Sequence, residues 1–175
     1  MVVADVPAAS CAGHRVGCRA DGHHGRDGGR ETPAAEVLAK LDADVQLGPS
    51  SVLVAHHAPA EAGILYAYRR HCPRLAATHL LDTVRLGRAA YPDLHSHSLD
   101  MLIHHLRLRR PANRHRAMAD VEVTAKVFAA LLAHGARTGL WTRLRDLRDV
   151  AGYEAKATRP EQGTLFDEYD TSSST

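Results

Sequence analysis

The apolar run Ser51–Ala55 is the feature that most limits what this chain can fold into. It follows the turn pair Gly48-Pro49 and contains no charged residue, which is typical of a strand that is buried on both faces. Pro59 comes shortly after it and suits the first turn of a helix. A second strand followed by a helix is predicted over residues 78–90. Strands that alternate with helices predict an α/β fold.

The length allows one domain with a core, plus a tail. Of the 175 residues, 45% are hydrophobic but only 5% are aromatic, so Leu, Val and Ala must fill the core. Helices are expected over about 33–45, 59–72, 83–90, 99–106, 116–134 and 140–150, with Pro73 ending the second and Gly135 the longest. We expect a poorly structured segment over 1–29 with a short strand at its start, a domain over 30–156 and a disordered tail over 157–175.

Composition excludes several classes of protein. No apolar run is long enough to span a bilayer, and the first residues do not have the pattern of a signal peptide. The three cysteines form no disulfide framework, so a cytoplasmic protein is expected. Cysteines and histidines cluster near the N-terminus at Cys11, His14, Cys18, His23 and His24. Their spacing matches no zinc finger, and we do not expect zinc.

A histidine and a carboxylate stand together at the start of the longest predicted helix. His115 lies just before it and Asp120 lies in its first two turns, while Glu61 lies in the first turn of the helix after the strand at Ser51. Cleavage of a phosphodiester needs an activated water and stabilisation of the leaving oxygen, which two divalent ions about 4 Å apart provide. Carboxylates bind such ions, and a histidine can take the proton. The ordinary alternative is a surface histidine beside acids that stabilise helix N-termini.

These segments resemble a known family. Arg114–Thr124 and Val52–Glu61 are similar to the third and second motifs of the DEDD 3'-5' exonuclease superfamily, in the histidine-bearing branch that includes the epsilon subunit of bacterial DNA polymerase III. Leu81–Leu86 and Ser98–Leu102 resemble its connecting helices, in the same order. The resemblance covers residues 32–132. It implies a ribonuclease H-like α/β fold, with a small central sheet flanked by helices, and a 3'-5' exonuclease that uses two Mg²⁺ or Mn²⁺ ions.

The resemblance also implies a role for individual residues. His115 corresponds to the general base, and Asp5, Glu61 and Asp120 correspond to metal carboxylates. Arginines crowd around the base at Arg107, Arg109, Arg110, Arg114 and Arg116. The residues expected to contact the substrate, single-stranded DNA 3' ends above all, are His57, Arg110 and Arg114. A basic loop of this kind is otherwise a solvated surface, and the net charge of +2 does not by itself indicate nucleic acid.

The first motif departs most from the family. The family has Asp-x-Glu at the end of its first strand, whereas here Asp5 is followed by Pro7 at the Glu position. The segment between Pro7 and Ser51 is also too short for the two further strands that the family has there. Either these N-terminal strands are missing, or residues 1–29 are not homologous to the family's N-terminus.

The second motif departs less. His57 replaces an amide and Ala60 replaces an aromatic residue, while Glu61 is a carboxylate with one more methylene than the family's Asp. Two hypotheses therefore stay open. One is an active 3'-5' exonuclease, and the other is a catalytically impaired relative that binds nucleic acid or a replication partner.

The tail carries a short motif of its own. Gln162 is followed by Leu165 and Phe166, which resembles the pentapeptide by which bacterial replication and repair proteins bind the sliding clamp. A flexible peptide can place two apolar side chains in a groove while the glutamine fixes the register, and tethering raises the effective concentration at DNA. The alternative is that the two apolar side chains fold back on the domain.

Overall fold

The computed structural model describes residues 2–5, 33–109 and 117–158, and for Asp5 and Ala117 only the backbone. The helices are α1 Ala34–Asp44, α2 Ala58–Ala67, α3 Pro73–Ala76, α4 Thr83–Ala90, α5 Leu99–His105, α6 Ala117–Thr138 and α7 Leu144–Ala151. The strands are β1 Val2–Asp5, β2 Ser51–Ala55, β3 Leu80–Asp82 and β4 Gly152–Tyr153. The predicted α/β fold is confirmed. No helix of the described ranges is long and apolar enough to cross a membrane.

The four strands form one mixed sheet in the order β1-β2-β3-β4. The central strands β2 and β3 are parallel, with Leu53 opposite Leu80 and Ala55 opposite Asp82. The outer strands β1 and β4 are antiparallel to their neighbours. All five residues of β2 are buried, as its uninterrupted apolar run predicted. Because β2 and β3 run in the same direction, their carboxyl ends emerge at the same edge of the sheet.

Helices cover both faces of this sheet. Alternate residues of a strand point to opposite faces, and β2 illustrates this: Val52 and Val54 pack in one apolar cluster and Leu53 in another. The first cluster contains buried residues of α4, α5, α6 and α7. The second contains buried residues of α2 and α3, with α1 packed against it. The chain enters α2 after β2 and α4 after β3. These two helices therefore start at the same edge of the sheet and pack on opposite faces.

The prediction that Pro73 ends a helix is wrong. Helix α2 ends earlier, at Ala67, and Pro73 is the first residue of α3, a position where proline loses no hydrogen bond. The carboxylate of Asp42 accepts a hydrogen bond from the amide of Leu75 at 2.7 Å. This acid belongs to α1, so the cap of α3 comes from a distant part of the chain.

The prediction that Gly135 ends the longest helix is also wrong. Helix α6 continues to Thr138, and the next residue, Gly139, has a φ of 75°, the left-handed conformation in which helices commonly end. Gly135 instead allows close packing. A Cβ atom there would overlap the indole ring of Trp141, a side chain that is only 1% exposed.

We expect Gly135→Ala to lower the free energy of unfolding by about 2 kcal/mol, since overpacking costs more than the helix propensity gained. Gly63→Ala is the matched control, because its Cβ would lie 3.6 Å from the Lys156 ammonium, an ordinary contact. The control should gain up to about 1 kcal/mol. Urea unfolding of both variants measures the difference. Equal stabilisation by the two substitutions would contradict the packing argument.

Candidate active site

The carboxyl ends of β2 and β3 are joined by the side chain of Asp82. Its Oδ1 atom accepts hydrogen bonds from the amide of His57, at 3.1 Å, and from the amide of Val84, at 2.9 Å. The second bond caps the N-terminus of α4. The first holds the turn that leads from β2 into α2. One buried carboxylate thus fixes the start of two helices.

Thr83 makes a second connection between the same strand ends. Its side chain is fully buried, and its Oγ1 atom donates to the carbonyl oxygen of Ala55 at 3.2 Å. The Oγ1 atom of Thr83 also lies 2.9 Å from Nδ1 of His56. A threonine hydroxyl has one proton to donate. Nδ1 of His56 must therefore be the donor in this second bond, which fixes the orientation of the ring.

His57 stands at the N-terminus of α2 with an exposed side chain. Its φ of 83° is in the left-handed region, which costs a residue other than glycine about 1 kcal/mol or more. The bond from its amide to Asp82 helps to hold this conformation. Glu61 follows four residues later, in the first turn of α2.

Among the residues at this edge, Glu61 is the one whose environment most strongly indicates a ligand. Its Oε2 atom is buried and has no hydrogen-bond partner among the described residues. A carboxylate oxygen withdrawn from water without a donor is costly. A favourable interaction with the N-terminus of α2 accounts for an acid in the first turn, but it supplies no partner for this oxygen. A hard divalent cation is a partner that such an oxygen suits.

Asp120 lies in the first turn of α6, the longest helix of the described ranges. Near the end of α6, Nδ1 of His134 lies 3.0 Å from the hydroxyl of Tyr91, which follows α4. Burial lowers the pKa of His134, and Arg137 and His105 lower it further. Helices α4 and α6 pack together, and this contact joins the end of α4 to the C-terminal part of α6.

Glu61 and Asp120 each lie in the first turn of a helix, α2 and α6, and these helices pack on opposite faces of the sheet. Within the described ranges, no group of three or more His, Cys, Asp or Glu side chains is close enough to hold a metal ion. The two acids have the right chemistry for an oxygen-ligated divalent ion, and the unpartnered oxygen of Glu61 favours it. A complete ligand set would need further oxygen atoms.

Asp5 is not brought to this edge. In the antiparallel pair of β1 and β2, Asp5 lies opposite Ser51, at the other end of β2 from Ala55. Four residues of a strand span about 13 Å. The register therefore separates the backbone of Asp5 from the strand ends that precede His57 and Glu61. The remaining predicted residues lie outside the described ranges: His115, Arg110, Arg114, Gln162, Leu165 and Phe166.

An open groove of about 510 Å³ lies at the same edge of the sheet. It is lined by the turn after β2, one side of α4 and the loop before α5, with the residues His56, His57, Val84, Arg88, His95, Ser96, His97 and Ser98. Only His57 was predicted as a site residue. His56, Val84 and Ser98 lie within segments that resemble the family, but nothing in the sequence marked Arg88 or residues 95–97 as part of a site.

Comparison with known proteins finds one family and several relatives that this chain resembles. The profile of the RNase_T family, described as exonuclease, matches residues 20–128. A DNA polymerase III of PolC type from Lacticaseibacillus paracasei is 31% identical over 124 residues, covering 69% of this chain and 8% of that protein. A DNA polymerase III subunit epsilon-like protein from Rhodobacter capsulatus is 31% identical over 143 residues, covering 78% and 18%. The chain thus spans less than a fifth of either relative. No solved structure matches it.

Thr83→Val should remove the hydrogen bond that orients the ring of His56. Valine keeps the shape but removes both hydrogen bonds, and we expect a loss of about 2 kcal/mol in the free energy of unfolding. Thr83→Ser retains the hydroxyl and loses only a methyl group, at about 1 kcal/mol. The imidazole nitrogen chemical shifts of His56 should change in the valine variant and not in the serine variant. The same shifts in both variants would show that Thr83 does not orient the ring.

Proposed function

The chain belongs to the exonuclease family, and we propose that it hydrolyses phosphodiester bonds at the 3' ends of nucleic-acid strands, with two Mg²⁺ or Mn²⁺ ions. The observation that carries this proposal is the buried oxygen of Glu61, which has no hydrogen-bond partner among the described residues and lies in the first turn of the helix that follows β2. A nuclease of this kind needs such an oxygen, and a purely structural acid gains nothing from it.

The proposed roles follow from the chemistry of the side chains. Glu61 and Asp120 would hold a divalent ion, which supplies an acidified water and stabilises charge on the leaving oxygen. We assign the removal of the proton from the attacking water to His115, which precedes Asp120 by five residues in the sequence. The exposed ring of His57 stands at the N-terminus of α2, four residues before Glu61, and we assign it to the substrate.

DNA is the proposed substrate. The similar proteins are named DNA polymerase III, and a proofreading role at single-stranded 3' ends is consistent with that name. Arg110 and Arg114 lie close in sequence to the proposed base, and we assign them to the phosphates of the strand. Such contacts supply affinity without selecting a sequence.

A second function is supported by a specific observation. Pro7 stands where the family has the Glu of its first motif, and the antiparallel register of β1 separates Asp5 from the strand ends near Glu61. A protein with too few carboxylates for two ions would bind a strand without cutting it. The second proposal is therefore a catalytically impaired protein that binds nucleic acid.

A third element of the proposal concerns the tail. Gln162, Leu165 and Phe166 would bind a replication clamp and keep the domain near DNA. A peptide of residues 159–169 should bind purified bacterial clamp in the micromolar range, about −8 kcal/mol. Fluorescence anisotropy measures this, and Leu165→Ala with Phe166→Ala in the same peptide should remove the binding. Retained binding in the double variant would rule out these side chains as the anchor.

Activity is tested with a 5'-labelled single strand and Mg²⁺ or Mn²⁺. The wild-type protein should shorten the strand from its 3' end, and His115→Ala should reduce the rate by about 10²-fold or more, as expected for a lost general base. Glu61→Gln and Asp120→Asn keep the shape and remove the charge, and both should also be strongly impaired.

Glu122→Gln is the matched control, because this exposed acid lies two residues from Asp120 on the same helix. It should retain wild-type activity within about twofold. A wild-type protein that binds the strand but leaves it intact would favour the impaired relative. An active Asp120→Asn variant would overturn the assignment of the metal carboxylates.

A further inference from the structure

The side chains that α4 and the loop before α5 contribute to the groove have the composition of an anion-binding surface. Its polar side chains are the guanidinium of Arg88, the imidazoles of His95 and His97 and the hydroxyls of Ser96 and Ser98. None of the described residues that line the groove is an Asp or a Glu. A cleft with several donors and no carboxylate favours a negatively charged ligand.

Arg88 is the centre of this surface. Its exposed side chain makes no hydrogen bond or ion pair with any other described residue. Arg85, three residues earlier in α4, differs in this respect. Its guanidinium donates to the carbonyl oxygen of Gly152 at 2.8 Å, so it has a structural partner. Of these two arginines, only Arg88 combines a place in the groove with a guanidinium that the described structure leaves available.

The loop opposite Arg88 is held in place by its own hydrogen bonds. The Nε2 atom of His97 lies 2.9 Å from the carbonyl oxygen of Tyr91, which can only accept, so Nε2 carries a proton. Ser96 Oγ accepts from the amide of Ser98 at 3.3 Å and keeps its own proton to donate. The groove is thus formed before any ligand arrives, which reduces the entropy cost of binding.

Gly87 allows this loop to come close to α4. A Cβ atom at this position would lie 3.2 Å from the methyl groups of Leu102 and 3.4 Å from the ring of His97, which is tighter than ordinary contact. The close approach brings the ring of His97 against the helix that carries Arg88, one residue along. The width of the groove therefore depends on a glycine that the helix alone would not favour.

We propose that this groove binds the backbone phosphates of a single nucleic-acid strand a few nucleotides before its 3' end, with Arg88 as the main contact and His95 and Ser96 as supporting donors. His57 lines the groove and stands at the N-terminus of α2, whose first turn carries Glu61. A strand held in the groove would therefore pass the end of the helix that carries the proposed cleavage site. This inference rests on the proposed function, because it takes the site at Glu61 as the place where the 3' end is cut.

Binding without turnover tests the groove. The anisotropy of a labelled oligothymidylate is measured with Ca²⁺ in place of Mg²⁺, for the full chain, for Arg88→Gln and for Arg85→Gln. Loss of one phosphate contact should raise the Kd about fivefold at physiological salt and reduce the slope of log K against log salt by about 0.7. Arg85→Gln removes the same charge from the same helix and should leave both quantities near wild type. Adding His95→Gln to Arg88→Gln should weaken binding further.

Several outcomes would overturn the proposal: no binding by the wild type, or an effect of Arg88→Gln no larger than that of Arg85→Gln. Thymidine 5'-monophosphate bound as tightly as the oligothymidylate would also overturn it, since the groove would then hold one phosphate group and not a strand. Thermal unfolding of each variant shows that the fold is intact. An inactive wild-type protein that binds through Arg88 would refute the proposed hydrolysis and support the groove. An active protein whose DNA binding does not depend on Arg88 would support the proposed hydrolysis and refute the groove.

Discussion

The parallel pairing of β2 and β3 is the constraint on which the rest of the molecule depends. A parallel pair must be buried on both faces and needs a crossover between its strands, which explains why β2 is apolar throughout and why helices lie on both sides of the sheet. The same pairing places Ala55 opposite Asp82. The chain therefore leaves both strands at the same edge of the sheet, and the residues that follow each strand meet there. The groove and Glu61 lie at this edge because of the direction of two short strands.

The buried polar side chains at this edge stabilise the fold only slightly, but they select one arrangement of the strand ends. Asp82 and Thr83 are nearly or fully buried, and a buried polar group is costly unless it is bonded. Their bonds to His57, Val84 and Ala55 offset that cost, with a net gain of only about 1 kcal/mol for each. The bonds do, however, specify one arrangement of the strand ends. They hold the turn at His57 in a conformation that it would not otherwise prefer, and this turn sets where α2 and Glu61 begin.

The parts of the fold that could be predicted from the sequence are those whose cause is local. The buried strand β2 follows from its apolar run, and the starts of α4 and α5 follow from their caps Asp82 and Ser98. The parts that were missed have distant causes. Pro73 opens a helix whose cap, Asp42, lies in α1, and Gly135 stays inside α6 because Trp141 packs over it. The groove was missed for the same reason, since Arg88 and His95 become a site only when the loop before α5 folds against α4.

The number of available carboxylates limits which chemistry the proposed site can support. The exonuclease profile begins at residue 20, so β1 lies outside the matched region, and its register sets Asp5 apart from the edge. Glu61 and Asp120 are then the two described acids that fit the role. A magnesium ion commonly keeps several waters and needs only one or two protein carboxylates when a substrate phosphate completes its shell. In the proposed site, the absence of a first-motif Glu would therefore weaken the second ion more than the first. In such a site the substrate's own phosphates must be well placed, and a groove that holds the strand supplies part of the positioning that a third carboxylate would otherwise give.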